Sequence, residues 1–405
     1  MTQRLEKIHV VCICGGIGFP KGGASSHRIL HLGKGLIEAG VQFKVLHIGP
    51  SVVAENASAS GRYSGIEYQY LPSVVKASPR RLIRMLYYGI GGILLPFRLF
   101  CYHRSSIAYI YYQGSILGLW AMLCCKLLRV PLIQEACEWW VGVDKASRFV
   151  RFMYLRVMFR WSDCALAISK SIEERIKQVS APKYPVFRLP VLIDVNRVSL
   201  DTAIRKSRLI PTDPYFLWCG SLDAYKEETL FLLKAFRLVK VHKTCSAKLV
   251  LVGPTSDWTR RQMEANLNDE SLSHSDVLLP GYVAESDLQA LAQTARALLL
   301  PMWNNPRSQT RFPTKAGLYV SAGRPIITAA VGSIAEHFDD RETAMFYTVG
   351  SADSMGDVMV RLLEDPALAD LIGREARMSV LPKFDYREQG RRFRTWLEAH
   401  FSLAS

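Results

Sequence analysis

Residues 8–48 read IHVVCICGGIGFPKGGASSHRILHLGKGLIEAGVQFKVLHI. The run 8–14 is apolar except for His9 and is closed by Gly15 and Gly16, the pattern of a strand buried on both faces. Residues 27–38 are amphipathic at helical spacing, Gly40 stops them, and 41–48 is a second, largely apolar run. Strand, helix, strand in that order is a βαβ unit, which implies a parallel sheet.

The alternation continues with a strand at 107–112, a helix from 116, a strand at 130–134, a helical stretch at 146–161 and a strand at 164–168. It then restarts. Residues 215–219 form an apolar strand ending in Gly220, followed by a helix at 227–241 and strands at 247–251 and 277–279. A helix at 285–296, a strand at 297–300, a helix at 315–321 and a strand at 325–328 complete the series. The expected fold is α/β, with two Rossmann-like doubly wound parallel-sheet domains. A chain of 405 residues agrees, being too long for one hydrophobic core. The expected domains are 1–195, 196–384 and a helix from 385 to 405 packing back across the hinge, with 189–214 and its Pro190, Pro211 and Pro214 as linker.

The composition, 49% hydrophobic and 21% charged, excludes a disordered or low-complexity chain. The net charge of +15 points to an acidic partner. Residues 1–200 hold 26 Lys and Arg against 11 Asp and Glu, and residues 201–405 hold 25 of each, so the excess belongs to the first half. No sequence feature suggests a recognition helix or an RNA-binding sheet, so nucleic acid is not the expected partner. Nine irregularly spaced cysteines without a C-x-x-C pair read as buried, reduced thiols of a cytosolic protein. The N-terminus carries no signal-peptide pattern. Residues 85–97 are apolar but interrupted by Gly89, Gly91, Gly92 and Pro96, too short to span a bilayer and suited to lying on one. Residues 105–125 are uncharged but broken at 113–115, where a strand hands over to a helix.

In doubly wound sheets ligands bind beyond the carboxyl ends of the strands. Three stretches fall there. Gly22 and Gly23 precede a helix and suit an approaching anion or sugar, or equally a tight turn. Gly220, Ser221 and Lys226 follow the first strand of the second half, and Lys226 suits a diphosphate or a solvated helix start. Arg311, Phe312, Pro313, Thr314 and Lys315 open a short helix whose amides and cations suit a phosphate or an ordinary cap. His27, His47 and His103 form no nucleophile, acid or metal pattern and read as structural or surface residues. No metal site is expected.

These residues resemble the GT-B glycosyltransferases, and within them the large retaining glycosyltransferase family 4 of bacterial polysaccharide and lipopolysaccharide sugar transferases. The resemblance runs through Gly22-Gly23-Ala24, Ala167-Ile168-Ser169, Leu189-Pro190 with Asp194, and Gly220-Ser221-Leu222 with Lys226. It continues through Leu251-Val252-Gly253-Pro254, Pro280-Gly281-Tyr282, Pro301, Phe312-Pro313-Thr314-Lys315 with Tyr319, Gly323 and Pro325, and Gly332 with Glu336. It implies a nucleotide-diphosphate sugar as donor substrate in the second domain, no other cofactor, and a lipid-linked or polysaccharide acceptor in the first. Lys226 matches the family's diphosphate-binding lysine. The arginine that usually accompanies it is Ser221 here, and Arg311 or Lys315 is expected to supply the missing charge.

Two motif glutamates of the family fall on Thr310 and Leu318, so both carboxylates are absent. Losing the ribose contact costs ~1–3 kcal/mol if the hydroxyl is buried unpaired. An alternative is therefore a noncatalytic partner in a glycan assembly complex. A nucleotide-sugar epimerase is disfavoured, because the acidic and histidine cluster it needs is absent. In the first domain Glu138 is the candidate to hydrogen-bond the acceptor or donor sugar or to act as a weak base, with a loop carboxylate paired to a cation as its plain reading. The excess charge, with Arg80, Arg81, Arg84, Arg98 and Arg104 flanking the apolar stretch, gives the expectation of peripheral attachment to the cytoplasmic, inner face of an anionic membrane.

Overall fold

A computed structural model describes residues 8–401 except 52, 103–105, 113–114, 143–146, 197–206, 224–225, 243–245 and 270–271. The chain forms two compact units. Unit 1 is Met1–Ile193 with Thr310–Phe312 and Phe384–Ser405, and unit 2 is Asp194–Gln309 with Pro313–Lys383. The division differs from the sequence-based boundaries chiefly in giving Thr310–Phe312 to unit 1.

Unit 1 is built on an eight-stranded sheet: β1 (His9–Cys14), β2 (Gln42–Ile48), β3 (Ser60–Tyr63), β4 (Ile66–Leu71), β5 (Ser106–Ile110), β6 (Leu132–Ala136), β7 (Cys164–Ala167) and β8 (Val186–Arg188), in the order β3-β4-β2-β1-β5-β6-β7-β8. Every pairing is parallel except the hairpin of β3 with β4. Cys12 sits between Val45 of β2 and Tyr109 of β5. The strand order therefore reverses between β1 and β5.

Helix Arg81–Phe100 departs from the interrupted stretch expected at 85–97: it is continuous through its glycines and Pro96, and at 20 residues it is long and apolar enough to cross a bilayer, against the expectation that it is too short. Gly91 lies against the Leu71 carbonyl, where any Cβ would overlap the oxygen. Proline 96 has no N–H to give to the Gly92 carbonyl four residues back. The Trp120 indole supplies it instead, donating to Gly92 O at 2.8 Å. The helical stretch expected at 146–161 is Arg148–Phe152 and Phe159–Trp161 joined by a π-type segment Met153–Met158.

The C-terminal helix Tyr386–His400 packs on helix Ala24–Glu38 within unit 1. Tyr386 OH donates to Glu38 at 2.7 Å, and Phe393 meets Phe187 at 5.0 Å between ring centres. The helices touch through Gly35 and Gly390, where a Cβ on Gly35 would overlap the Tyr386 carbonyl. Gly35→Ala is expected to cost ~1–3 kcal/mol, as overpacking does. Gly89→Ala, in open space on an exposed helix face, should be neutral or stabilising by ~0.5–1 kcal/mol. Denaturant unfolding of both variants checks the contrast.

Unit 2 carries a six-stranded, wholly parallel sheet: β9 (Tyr215–Cys219), β10 (Lys248–Val252), β11 (Val277–Gly281), β12 (Ala297–Leu299), β13 (Ile326–Thr328) and β14 (Met345–Phe346), in the order β11-β10-β9-β12-β13-β14. Its order reverses between β9 and β12. β9 is buried at every residue, with Trp218 wholly enclosed.

Of the cysteines, Cys12, Cys14, Cys124, Cys125, Cys164 and Cys219 are buried free thiols and Cys137 is half-buried, but Cys101 is exposed at the end of helix Arg81–Phe100, against the expectation of burial. Cys245 lies outside the described residues. His47 is buried between the Gly49 and Ile17 carbonyls, and burial lowers its pKa, a structural role. His103 lies outside the described residues.

Candidate functional site

In unit 2 the reversal of strand order puts the carboxyl end of β9 at the position where open α/β sheets take their ligands. The chain leaves β9 through Gly220. Gly253, at φ +148°, lies so close behind it that a side chain there would overlap the Gly220 carbonyl. The following loop is tied down by Asp223, whose carboxylate accepts the Ser256 N–H at 3.0 Å and the Ser256 hydroxyl at 2.8 Å. Leu222 N–H donates to Pro254 O at 3.1 Å.

Helix Lys315–Ser321 brings a cation to this point. The Lys315 ammonium sits 4.0 Å from the centre of the Trp218 ring and 4.0 Å from Glu228 Oε2. A Cβ placed on Gly220 would lie 2.8 Å from that nitrogen, so the glycine makes the room that Lys315 occupies. Four residues on, on the same helix face, Tyr319 OH accepts the Cys219 N–H at 3.1 Å and pins the helix to the end of β9. Burial pushes the Cys219 thiol up and the Lys315 charge partly offsets it. Burial likewise raises the Tyr319 phenol, keeping it neutral.

Lys315 is thus the candidate placed against Gly220. Pro313 and Thr314 lead into its helix, with Thr314 as N-cap and Pro313 O accepting the Ala316 N–H at 3.0 Å. Ser221 is half-buried beside Gly220. Lys226 opens helix Lys226–Val241 by its backbone, and its side chain lies outside the described residues. Leu318 is half-buried and offers no polar atom.

The preceding three residues pack with unit 1. The Thr310 carbonyl accepts the Ser169 hydroxyl at 2.7 Å, and the Phe312 ring meets Phe384 edge-on at 5.2 Å. Arg311 lies between them, half-buried. The stretch 311–315, read as one turn in the sequence, is therefore shared between the two units.

In unit 1, Gly23 caps helix Ala24–Glu38 and has open space where a Cβ would be. Gly22 has none, because Ser26 turns back beneath it to donate to Gly18 O. Glu138 is half-buried, and its backbone carbonyl accepts the Tyr154 hydroxyl at 3.1 Å.

The electrostatic centre of this unit lies three residues earlier, at Glu135, which is fully buried. Its carboxylate accepts from Arg28 Nη2 at 3.1 Å, from Cys137 Sγ at 3.1 Å and from the Tyr109 hydroxyl. Arg28, also buried, donates to Pro190 O at 2.7 Å and Leu189 O at 2.9 Å. Glu135 is thereby spent on structure, and Arg28 ties the end of β6 to the chain leaving β8. No local pattern marks this pair, whose members come from distant segments.

Arg80, Arg81 and Arg98 are exposed and Arg84 is half-buried, while Arg104 lies outside the described residues. Among the described residues no group of three His, Cys, Asp or Glu side chains is arranged to hold a metal ion.

Comparison with known proteins places this geometry. Residues 213–365, spanning all of β9 to β14, match the family model described as Glycosyl transferases group 1. The glycogen synthase of Mycobacterium tuberculosis is 22% identical over 233 residues, 57% of this chain and 52% of that protein, so the chain spans about half the length of the curated relatives it matches. Among solved structures, the sucrose-phosphate synthase of Thermosynechococcus elongatus superposes with a TM-score of 0.75 at 16% identity, covering 97% of this chain and all (100%) of that one. The Anabaena protein HepE, crystallised with UDP and glucose, gives a TM-score of 0.69 at 13% identity over 96% of this chain and 99% of its own. The chain thus has the GT-B fold of two Rossmann-like parallel sheets, and its residues 213–365 are similar to the glycosyl transferases group 1 family.

Proposed function

We propose that the protein is a glycosyltransferase, moving a hexose from a nucleoside-diphosphate sugar to a lipid-linked glycan acceptor with retention of configuration. The observation that carries the reading is the Lys315 ammonium held against Gly220 at the carboxyl end of β9, inside the matched domain. A fixed cation there stabilises the negative charge that develops on the departing diphosphate, the largest single contribution open to such a site. Lys226, at the start of the next helix, is the second cation of the pair. The crystal complex of HepE with UDP and glucose supports a uridine nucleotide as the donor class.

Retention needs no protein nucleophile if the acceptor attacks from the side the diphosphate leaves, so the leaving-group site bears the catalysis. Glu138 serves as hydrogen-bond acceptor or weak base for a sugar hydroxyl, and the open backbone at Gly23 takes a phosphate or sugar oxygen. The donor brings all the chemistry and no further cofactor is required. A noncatalytic partner in a glycan assembly complex is favoured by one feature only, Thr310 and Leu318 in place of two carboxylates.

Incubating the purified chain with a panel of uridine and guanosine diphosphate sugars tests the reading. One donor is expected to be hydrolysed slowly, with the freed sugar first appearing by proton NMR in the donor's own anomeric form. Inversion would overturn the retaining mechanism, and silence toward every donor would favour the noncatalytic partner.

A further inference from the structure

Helix Arg81–Phe100 has two unlike faces. Gly91, Gly92, Leu95 and Leu99 are buried. On the other side Leu82, Met85, Leu86, Ile93, Phe97 and Phe100 are exposed, Leu82 at 80% and Phe97 at 68%. Positions 82, 86, 89, 93, 97 and 100 recur at helical spacing, so the stripe runs the helix's length, about 30 Å. The neighbouring helix Ile116–Leu127, joined to it by Trp120, adds exposed Ile116, Trp120 and Leu127.

The segment that builds this surface carries charge of a single sign, and Asp163 reaches it only as the partner of Lys126, at 3.5 Å. Residues 68–134 contain eight Lys and Arg and no Asp or Glu. Arg80 and Arg81 stand exposed at the start of the stripe and Arg98 near its end.

We propose that this face of unit 1 docks on an anionic lipid bilayer, with helix Arg81–Phe100 lying in the plane of the leaflet. An apolar stripe with exposed arginines at both ends matches the boundary between acyl chains and acidic headgroups. A second copy of the chain fits poorly, because a two-fold contact would set the cationic ends against each other. Crossing the bilayer is excluded by the fold: the helix connects β4 to β5 of one sheet, and Gly91 is seated on the Leu71 carbonyl of β4. The proposal goes beyond sugar transfer and is read without it.

Flotation of the full chain with vesicles of mixed phosphatidylcholine and phosphatidylglycerol, against pure phosphatidylcholine, tests it at low and high salt. Binding to the mixed vesicles is expected to be at least ~10-fold tighter than to neutral ones and to weaken with salt. The double variant Ile93→Glu/Phe97→Glu should lose binding by more than ~10-fold, with circular dichroism and thermal midpoint unchanged because both positions are exposed. Arg80→Glu/Arg81→Glu/Arg98→Glu should erase the preference for anionic vesicles. Failure of the wild type to bind mixed vesicles at low salt, or equal binding by the Ile93→Glu/Phe97→Glu variant, overturns the proposal. So does a dimer in sedimentation velocity that this variant breaks while vesicle binding stays absent, which would give the face to a second copy.

Discussion

Replacing Lys315 by methionine is expected to weaken binding of a nucleoside-diphosphate sugar by ~10- to 100-fold while leaving the fold intact. The estimate follows from the loss of one hydrogen bond to a charged group, about 1.5–3 kcal/mol. The stem of methionine still covers the Trp218 ring, so the packing that Lys315 provides is largely kept. Its Glu228 partner lies 4.0 Å away and is only 9% exposed, so some stability is also lost; the double variant Lys315→Met/Glu228→Gln separates that loss from the loss of affinity. If the cation serves the diphosphate, the double variant regains stability and not binding. Calorimetric titration together with a thermal melt gives both quantities.

The second large effect is expected in unit 1, where Arg28→Met should destabilise the protein by about 3–5 kcal/mol. The substitution leaves the Glu135 carboxylate buried without its cation and removes the donors to the Leu189 and Pro190 carbonyls. Because a two-unit chain need not unfold in one step, native-state hydrogen exchange is the suitable measurement. Amides of β6, β7 and β8 should lose protection together, while those of β9 to β13 should not. Arg28→Met/Glu135→Leu should recover part of the loss, since a buried pair replaced by apolar groups costs less than a pair broken in half. Protection unchanged in Arg28→Met would mean that the pair is not holding the end of β6.

The sheets were legible because a strand buried on both faces reads as an unbroken apolar run. β1, β9 and β10 announce themselves in this way, and their glycine exits follow. The β3–β4 hairpin was not legible, since Ser60–Tyr63 is exposed at every residue and carries no alternation. Helix Arg81–Phe100 was obscured by three glycines and a proline. Their cost is relieved by groups far away in sequence, the Leu71 carbonyl that Gly91 accommodates and the Trp120 indole that serves Gly92 O.

The same limit governs the site. Gly220 and Lys315 could be picked out by their turn contexts, and Lys315 could be named as one of two substitutes for the cation missing at Ser221. That its ammonium lies over Trp218 and beside Glu228 depends on the parallel order of β9 and β12, which no local spacing encodes. Glu138 stands out in the sequence because it lies in a loop after a strand. The carboxylate with the dense network of partners is Glu135, whose neighbour Arg28 is assigned only by the packing of helix Ala24–Glu38.

The most direct measurement is calorimetric titration of the purified full chain with UDP, UDP-sugars and GDP-sugars, repeated with Lys226→Ala. Saturable binding of one nucleotide class with a Kd between about 1 μM and 1 mM, lost in Lys226→Ala and weakened in Lys315→Met, is the expected result. A folded wild-type chain that binds none of these diphosphates would contradict the assignment of the β9 end as a donor site.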